Sequence, residues 1–150
     1  MNKRAKRPAA DAEAFGQSGM MGLLDAARVL QERVDQAFES VGLSAAKYMA
    51  LEQLSRAGGD MSLSELAECR RCVRSNITQL IDRLETDGLV KRIDDPQDRR
   101  AVRAELTKLG VSKFEAGSEA IRRVQSELAA QVPREEQSSF LRALTAFKNI

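Results

Sequence analysis

The sequence predicts a mainly α-helical fold with one small β-hairpin, and three observations carry that expectation. Aromatic residues make up only 4% of the chain, with no Trp and one Tyr, so a core must be built from Leu, Val, Ile and Ala. That palette suits helices better than a sandwich or barrel. Apolar residues recur at steps of three and four along most of the chain, the spacing of one helix face. A period of two is clear in one place, where Val102, Ala104 and Leu106 alternate with Arg103 and Glu105. At 150 residues the chain is long enough for one well-buried domain and short for two.

The elements follow in order. Residues 1–12, rich in Lys, Arg, Ala and Pro and without an apolar stripe, are expected to form a flexible basic tail. From Leu23 the pattern changes: Leu23, Ala27, Leu30, Val34, Ala37 and Val41 share a helix face, and Gly42 ends that helix. Ser44 is suited to cap a second helix, where Tyr48, Leu51 and Leu54 share a face until Gly58-Gly59-Asp60 stops it. A short helix, SELAEC, follows, with Leu63, Leu66 and Ala67 turned inward. The spacing next predicts a helix over about residues 74–86. Its Ile77, Leu80, Ile81 and Leu84 fall on one side, opposite Ser75, Gln79, Asp82, Arg83 and Thr86, and Gly88 stands where a left-handed cap belongs. LVKRID and AVRAEL read as two strands, and DPQDRR between them makes a hairpin with a charged tip. Thr107 caps a long helix carrying Phe114, Ile121, Val124 and Leu128. Pro133 suits the first position of a last helix, with Phe140, Leu141, Leu144 and Phe147 on a face.

Charge and composition exclude several classes of function. The net charge is +2, but Lys3, Arg4, Lys6 and Arg7 place four positive charges in the first seven residues, leaving −2 on the remainder. A nucleic-acid-binding face must therefore come from segregation of charge within the fold. The chain has no His, which removes the commonest general base and the commonest metal ligand. It also has no glycine-rich phosphate loop and no convergent carboxylate pair, so no catalytic residues, metal site or cofactor are expected. There is no apolar run long enough to span a bilayer, and the basic start leads into PAADAEAFGQSG rather than a hydrophobic signal core. A cytoplasmic protein with reduced thiols is expected.

The order of elements has its own meaning. A short helix turning into an amphipathic helix with a small, polar and basic outer face is a helix–turn–helix, and an arginine-tipped hairpin directly behind it makes a wing. Ser, Asn, Gln and Arg on the second helix are groups that hydrogen-bond base edges in a major groove, while guanidinium groups on the wing suit the minor groove. Residues 44–110 form this winged unit. Residues 13–43 and 111–150 carry apolar stripes the unit does not need, and are read as dimerisation helices.

Residues 43 to 110 resemble the MarR family of winged helix–turn–helix transcriptional regulators. The resemblance rests on LSELAE, RSNITQLIDRLETDGLVKR and DPQDRRAVRAELTKLG, the last with a D-x-R pattern at Asp98 and Arg100 running into L-T-x-x-G. It implies a homodimeric regulator, usually a repressor, that binds a palindromic operator in double-stranded DNA and is released by a small-molecule inducer or an oxidant. By motif position, Arg74, Ser75, Asn76, Gln79 and Arg83 would face the major groove. Arg99 and Arg100 would serve the minor groove, with Asp98 orienting the wing. The chain departs from the family where Arg70-Arg71-Cys72-Val73 stands in place of Leu-Gly-Val-Ser.

Two further readings stay open. Cys69 and Cys72 cannot complete a tetrahedral zinc site on their own, so they are either packing residues or redox thiols. Cys69, beside two arginines, is the more reactive of the two by position. Val34, Phe38, Tyr48 and Leu51 either line a ligand pocket or belong to the core. The alternative to DNA recognition is a winged-helix protein-interaction module, which the acidic residues Asp82, Glu85 and Asp87 would favour.

Overall fold

The computed structural model describes residues 7–69, 74–98 and 101–148, with backbone alone at 7–15 and at 74 and 75. Six helices and a three-stranded sheet are seen among these residues. They are α1 (Arg7–Glu39), α2 (Ala45–Arg56), β1 (Asp60–Ser62), α3 (Leu63–Cys69), α4 (Arg74–Thr86), β2 (Val90–Asp94), β3 (Val102–Leu106), α5 (Lys108–Gln131) and α6 (Arg134–Phe147). The mainly helical winged helix–turn–helix architecture expected from the sequence is the one found.

The expected caps hold the helix ends. Ser44 Oγ accepts from the Lys47 amide at 3.3 Å, and Thr107 Oγ1 accepts from the Gly110 amide at 3.0 Å. Behind α4, Gly88 adopts φ 71°, which lets its amide donate to Glu85 O and the Leu89 amide to Leu84 O. Thr107 also donates its hydroxyl to Gly88 O at 2.7 Å, so one side chain ties the end of α4 to the start of α5.

Three elements differ from expectation. Helix α1 begins at Arg7, so residues 7–12 are helical rather than part of a tail, while residues 1–6 lie outside the described residues. The Ala-rich stretch there needs no apolar stripe to favour a helix. The hairpin gains a third strand, β1, in the order β1-β3-β2, with Met61 opposite Ala104. Three residues are too few to display a period of two. Pro133 caps α6 from outside, with φ −53° and ψ 141°, instead of occupying its first turn.

The core lies between α2, α4 and the sheet. Leu51, Leu54, Leu66, Ile77, Ile81, Leu84 and Val90 are the large side chains fully removed from solvent, each contributing about 1.5–3 kcal/mol of transfer free energy. Helix α5 crosses above them. Its Lys113 Nζ donates to Val41 O at 2.6 Å, holding the turn after α1. Further along α1, α5 and α6 the burial ends: Met20, Leu24, Val29, Leu128, Phe140, Leu141 and Phe147 are all exposed, and α6 buries none of its residues.

Candidate nucleic-acid interface

Helix α4 is held by its back. Ile77, Ile81 and Leu84 are buried, and that fixes which residues must point away from the body. Asn76, Gln79 and Arg83, at steps of three and four, form an exposed row on the outer side. Arg74 and Ser75 open the first turn of the same helix, but their side chains lie outside the described ones. Thirteen residues make a rod of roughly 20 Å, enough to lie in a major groove. Polar side chains in such a row can address successive base edges.

Helix α3 starts with reciprocal capping. Ser62 Oγ accepts from the Glu65 amide at 3.2 Å, and Glu65 Oε2 accepts from the Ser62 amide at 2.9 Å. Ser62, through its side chain first and its amide second, holds the Glu65 carboxyl below its ordinary range, with a smaller contribution from Arg103. Leu66 and Ala67 bury the inner face of α3, and Cys69 is an exposed free thiol at its end. Residues 70–73, including Cys72, lie outside the described residues.

Asp82 places a negative charge on the outer side of α4, where it would oppose the approach of a phosphate. The structure supplies its partner: the guanidinium of Arg92 on β2 ion-pairs with both Asp82 and Glu85. The pairing raises the Arg92 pKa further, chiefly through the bond to Asp82. Asp87, in the turn after α4, is likewise paired, with Lys47 of α2. The acidic residues of this region are thus engaged within the fold.

The wing is the β2–β3 hairpin. Where the turn leaves β2, Asp95 Oδ1 accepts from the amides of Gln97 and Asp98, at 2.8 and 3.2 Å, and Asp95 Oδ2 accepts from Arg103 Nη1 at 3.0 Å. These bonds, that from Gln97 first, hold the Asp95 carboxyl below its ordinary range. Asp98 is exposed, and its carbonyl accepts from the Ala101 amide at 2.9 Å, closing the tip. Arg99 and Arg100, the expected minor-groove residues, lie outside the described residues.

The four candidate pocket residues come together as packing. Phe38 and Leu51 are buried, and Val34 and Tyr48 pack against the same core. Tyr48 stacks between Phe38 and Phe114, with centroids 4.6 and 5.7 Å away, and its hydroxyl lies 3.2 Å from Ser118 Oγ. An apolar groove of about 440 Å³ lies elsewhere, between α1 and α5, lined by Val29, Leu30, Val124 and Leu128 among others. Among the described residues no group of three His, Cys, Asp or Glu could hold a metal ion, and no helix is long and apolar enough to cross a membrane.

Sequence reasoning did not single out Arg92 or Arg103 as site residues, although both organise this surface. Their partners lie on other elements, so only the hairpin register brings them into view.

A short helix, a polar-faced helix after it and a paired hairpin behind both define a winged helix–turn–helix protein. A sequence model of the MarR family matches residues 41–101 of this chain. The HTH-type transcriptional regulator PrsX of Escherichia coli is 35% identical over 83 residues, which cover 55% of this chain and 50% of PrsX. The chain therefore spans about half the length of that curated relative. Among solved structures, the YusO protein of Bacillus subtilis is similar with a TM-score of 0.75 and 26% identity, over 90% of this chain and 96% of that one. A mutant of MarR from E. coli, complexed with operator DNA, shares the fold with a TM-score of 0.70 at 20% identity, over 89% of this chain and 96% of that one.

Proposed function

We propose that this chain is a DNA-binding transcriptional regulator of the cytoplasm, acting as a homodimeric repressor on a palindromic operator. The observation that carries the reading is the exposed row Asn76, Gln79 and Arg83 on a helix whose opposite face is buried, followed at once by a hairpin. Arg74 and Ser75 extend the row toward the helix start, and Asp98, Arg99 and Arg100 serve the wing. The exposed apolar residues of α1, α5 and α6 suit a second copy, and a two-fold dimer would set two reading helices about 34 Å apart, one turn of DNA. Occupying a promoter in that way excludes polymerase. A small ligand or an oxidant acting on the exposed Cys69 releases the DNA. The protein-interaction reading loses its support because Asp82, Glu85 and Asp87 are all paired within the fold.

The test is selection of duplexes from a random pool, followed by fluorescence anisotropy on reduced and on peroxide-treated protein. Enrichment of a palindrome bound by reduced dimer is expected. Salt-sensitive binding without enrichment of any sequence would refute the reading. Binding that survives peroxide would remove the oxidant, and titration with small phenolic ligands then tests the inducer.

A further inference from the structure

Arg103 stands where the sheet changes character. On β3 it faces Ser62 of β1 on one side and Ile93 of β2 on the other, and Ser62 is the last residue of β1. Up to Arg103 the sheet has three strands. Beyond it, toward the tip, only one more pair, Asp94 with Val102, precedes the wing turn, and β1 does not reach that far. An open cleft of about 670 Å³, lined by Ser62, Thr78, Gln97 and Val102 among others, separates the wing turn from α3 and α4. The wing turn is therefore braced where it joins the sheet rather than packed against the helices.

The brace is one guanidinium among three carboxylates from three segments. Arg103, only 23% exposed, ion-pairs with Asp60 of β1, with Asp95 at the start of the wing turn at 3.0 Å, and with Glu65 of α3 at 3.8 Å. Two of these carboxylates also hold backbone. Asp95 fastens the amides of Gln97 and Asp98 in the wing turn, and Glu65 fastens the first turn of α3. A single planar fork thus joins the turn of the wing to the helix that leads into α4. Lys could supply the charge, but its three donors sit on one nitrogen and lack the wide planar fork that reaches carboxylates on separate segments.

We propose that Arg103, acting through Asp95, is the positioning residue that fixes the angle of the wing relative to the reading helix, and so sets the spacing between major-groove and minor-groove contacts. The proposal rests on the DNA-binding reading above. Arg103 need not touch DNA to do this.

Electrostatics gives the test its edge. Asp95→Asn removes a negative charge beside the proposed DNA face, so charge alone predicts tighter binding. Its Oδ1 remains to hold the wing turn, and only the bond to Arg103 is lost. Positioning predicts the opposite sign. Full-length protein carrying Asp95→Asn, Arg103→Gln or both is titrated against the selected duplex by anisotropy, and the complexes are footprinted. Each single variant should bind about tenfold more weakly, and the double variant no more weakly than the worse single, since coupled residues are not additive. Hydroxyl-radical protection of the flanking minor groove should be lost, while methylation protection of guanine N7 in the major groove persists. Arg103→Lys should fall between wild type and Arg103→Gln. Unchanged or tighter binding by Asp95→Asn, or flank protection that survives in Arg103→Gln, would overturn the assignment of Arg103 alone. Flanks left unprotected by wild-type protein would overturn the wing reading itself, and this assignment with it.

Discussion

Arg92 on β2 reaches back to ion-pair with Asp82 on the outer half of α4. The contact binds the hairpin to α4 and, on the proposed DNA-binding reading, neutralises a carboxylate that would otherwise confront phosphate. Asp82 is 56% exposed, so solvent screening keeps the contribution to stability to about 1 kcal/mol or less. Its effect on binding should be larger. Arg92→Ala should weaken operator binding about tenfold, because two carboxylates become unpaired beside the DNA. Adding Asp82→Asn to that variant should restore part of the loss. Anisotropy titrations of both variants check this, and a double variant weaker than Arg92→Ala would defeat the explanation.

Helix and wing should leave different signatures in solution. Arg83→Ala is expected to cost roughly 1–3 kcal/mol and to relax preference at one base position in each half-site. Arg100→Ala, in the proposed wing, should weaken binding to all sequences alike and reduce the salt slope by about one per site. Binding isotherms over a series of salt concentrations and mutated operators separate the two. Identical behaviour of both variants would mean that helix and wing do not divide the work in this way.

Much of this was legible in the sequence because local rules and tertiary needs agree. Ser44, Thr107 and Gly88 cap or end helices as their chemistry suggests, and Ile77, Ile81 and Leu84 bury the face their spacing defines. The rest depends on register. Arg92 meets Asp82, and Arg103 meets Asp60 and Asp95, only once β2 and β3 have paired, and no one-dimensional pattern announces that. Strand β1 is too short to show alternation. The first turns of α1 hide for another reason: helix propensity needs no stripe, and the stripe was the signal sought.

The wing turn should also respond to acid. The Asp95 and Glu65 carboxyls are both held below their ordinary ranges, by the Gln97 amide and by Ser62 respectively, with Arg103 assisting. A depressed carboxylate stabilises the fold fully above its unfolded-state pKa, about 4 for these groups, and that share is lost as pH falls through the folded value. The gap in thermal midpoint between wild type and Asp95→Asn should therefore stay flat from about pH 5 to 8 and close below about pH 4. A gap that closes near neutral pH would point to another titrating group.

Gly110 marks where α5 meets the strand after α4. A Cβ there would lie 2.0 Å from Leu89 O and 3.0 Å from Leu89 C, backbone atoms that cannot rotate aside. Gly110→Ala must push α5 away or break the bond from the Thr107 amide to Leu89 O, and overpacking of this kind costs about 1–3 kcal/mol or somewhat more. Urea unfolding should show that loss, whereas Gly16→Ala, where added Cβ meets nothing within 4 Å, should be neutral or mildly stabilising. Equal midpoints for Gly110→Ala and wild type would mean that α5 can lift from Leu89 freely.

Leu141 gives the cleanest measure of assembly. It is 62% exposed on a helix with no fully buried residue, so in a monomer Leu141→Glu should change stability by no more than about 0.5 kcal/mol. In a dimer formed through α1, α5 and α6 the same change places a charge in an apolar contact and should cost several kcal/mol unless the interface opens. Sedimentation equilibrium should then show wild-type protein as a dimer and Leu141→Glu shifted toward monomer, with helix content retained. Operator affinity should drop along with it, since one reading helix loses the partner that doubles its grip on a palindrome. A variant that remains dimeric and binds normally would take α6 out of the interface and leave its apolar face without that role.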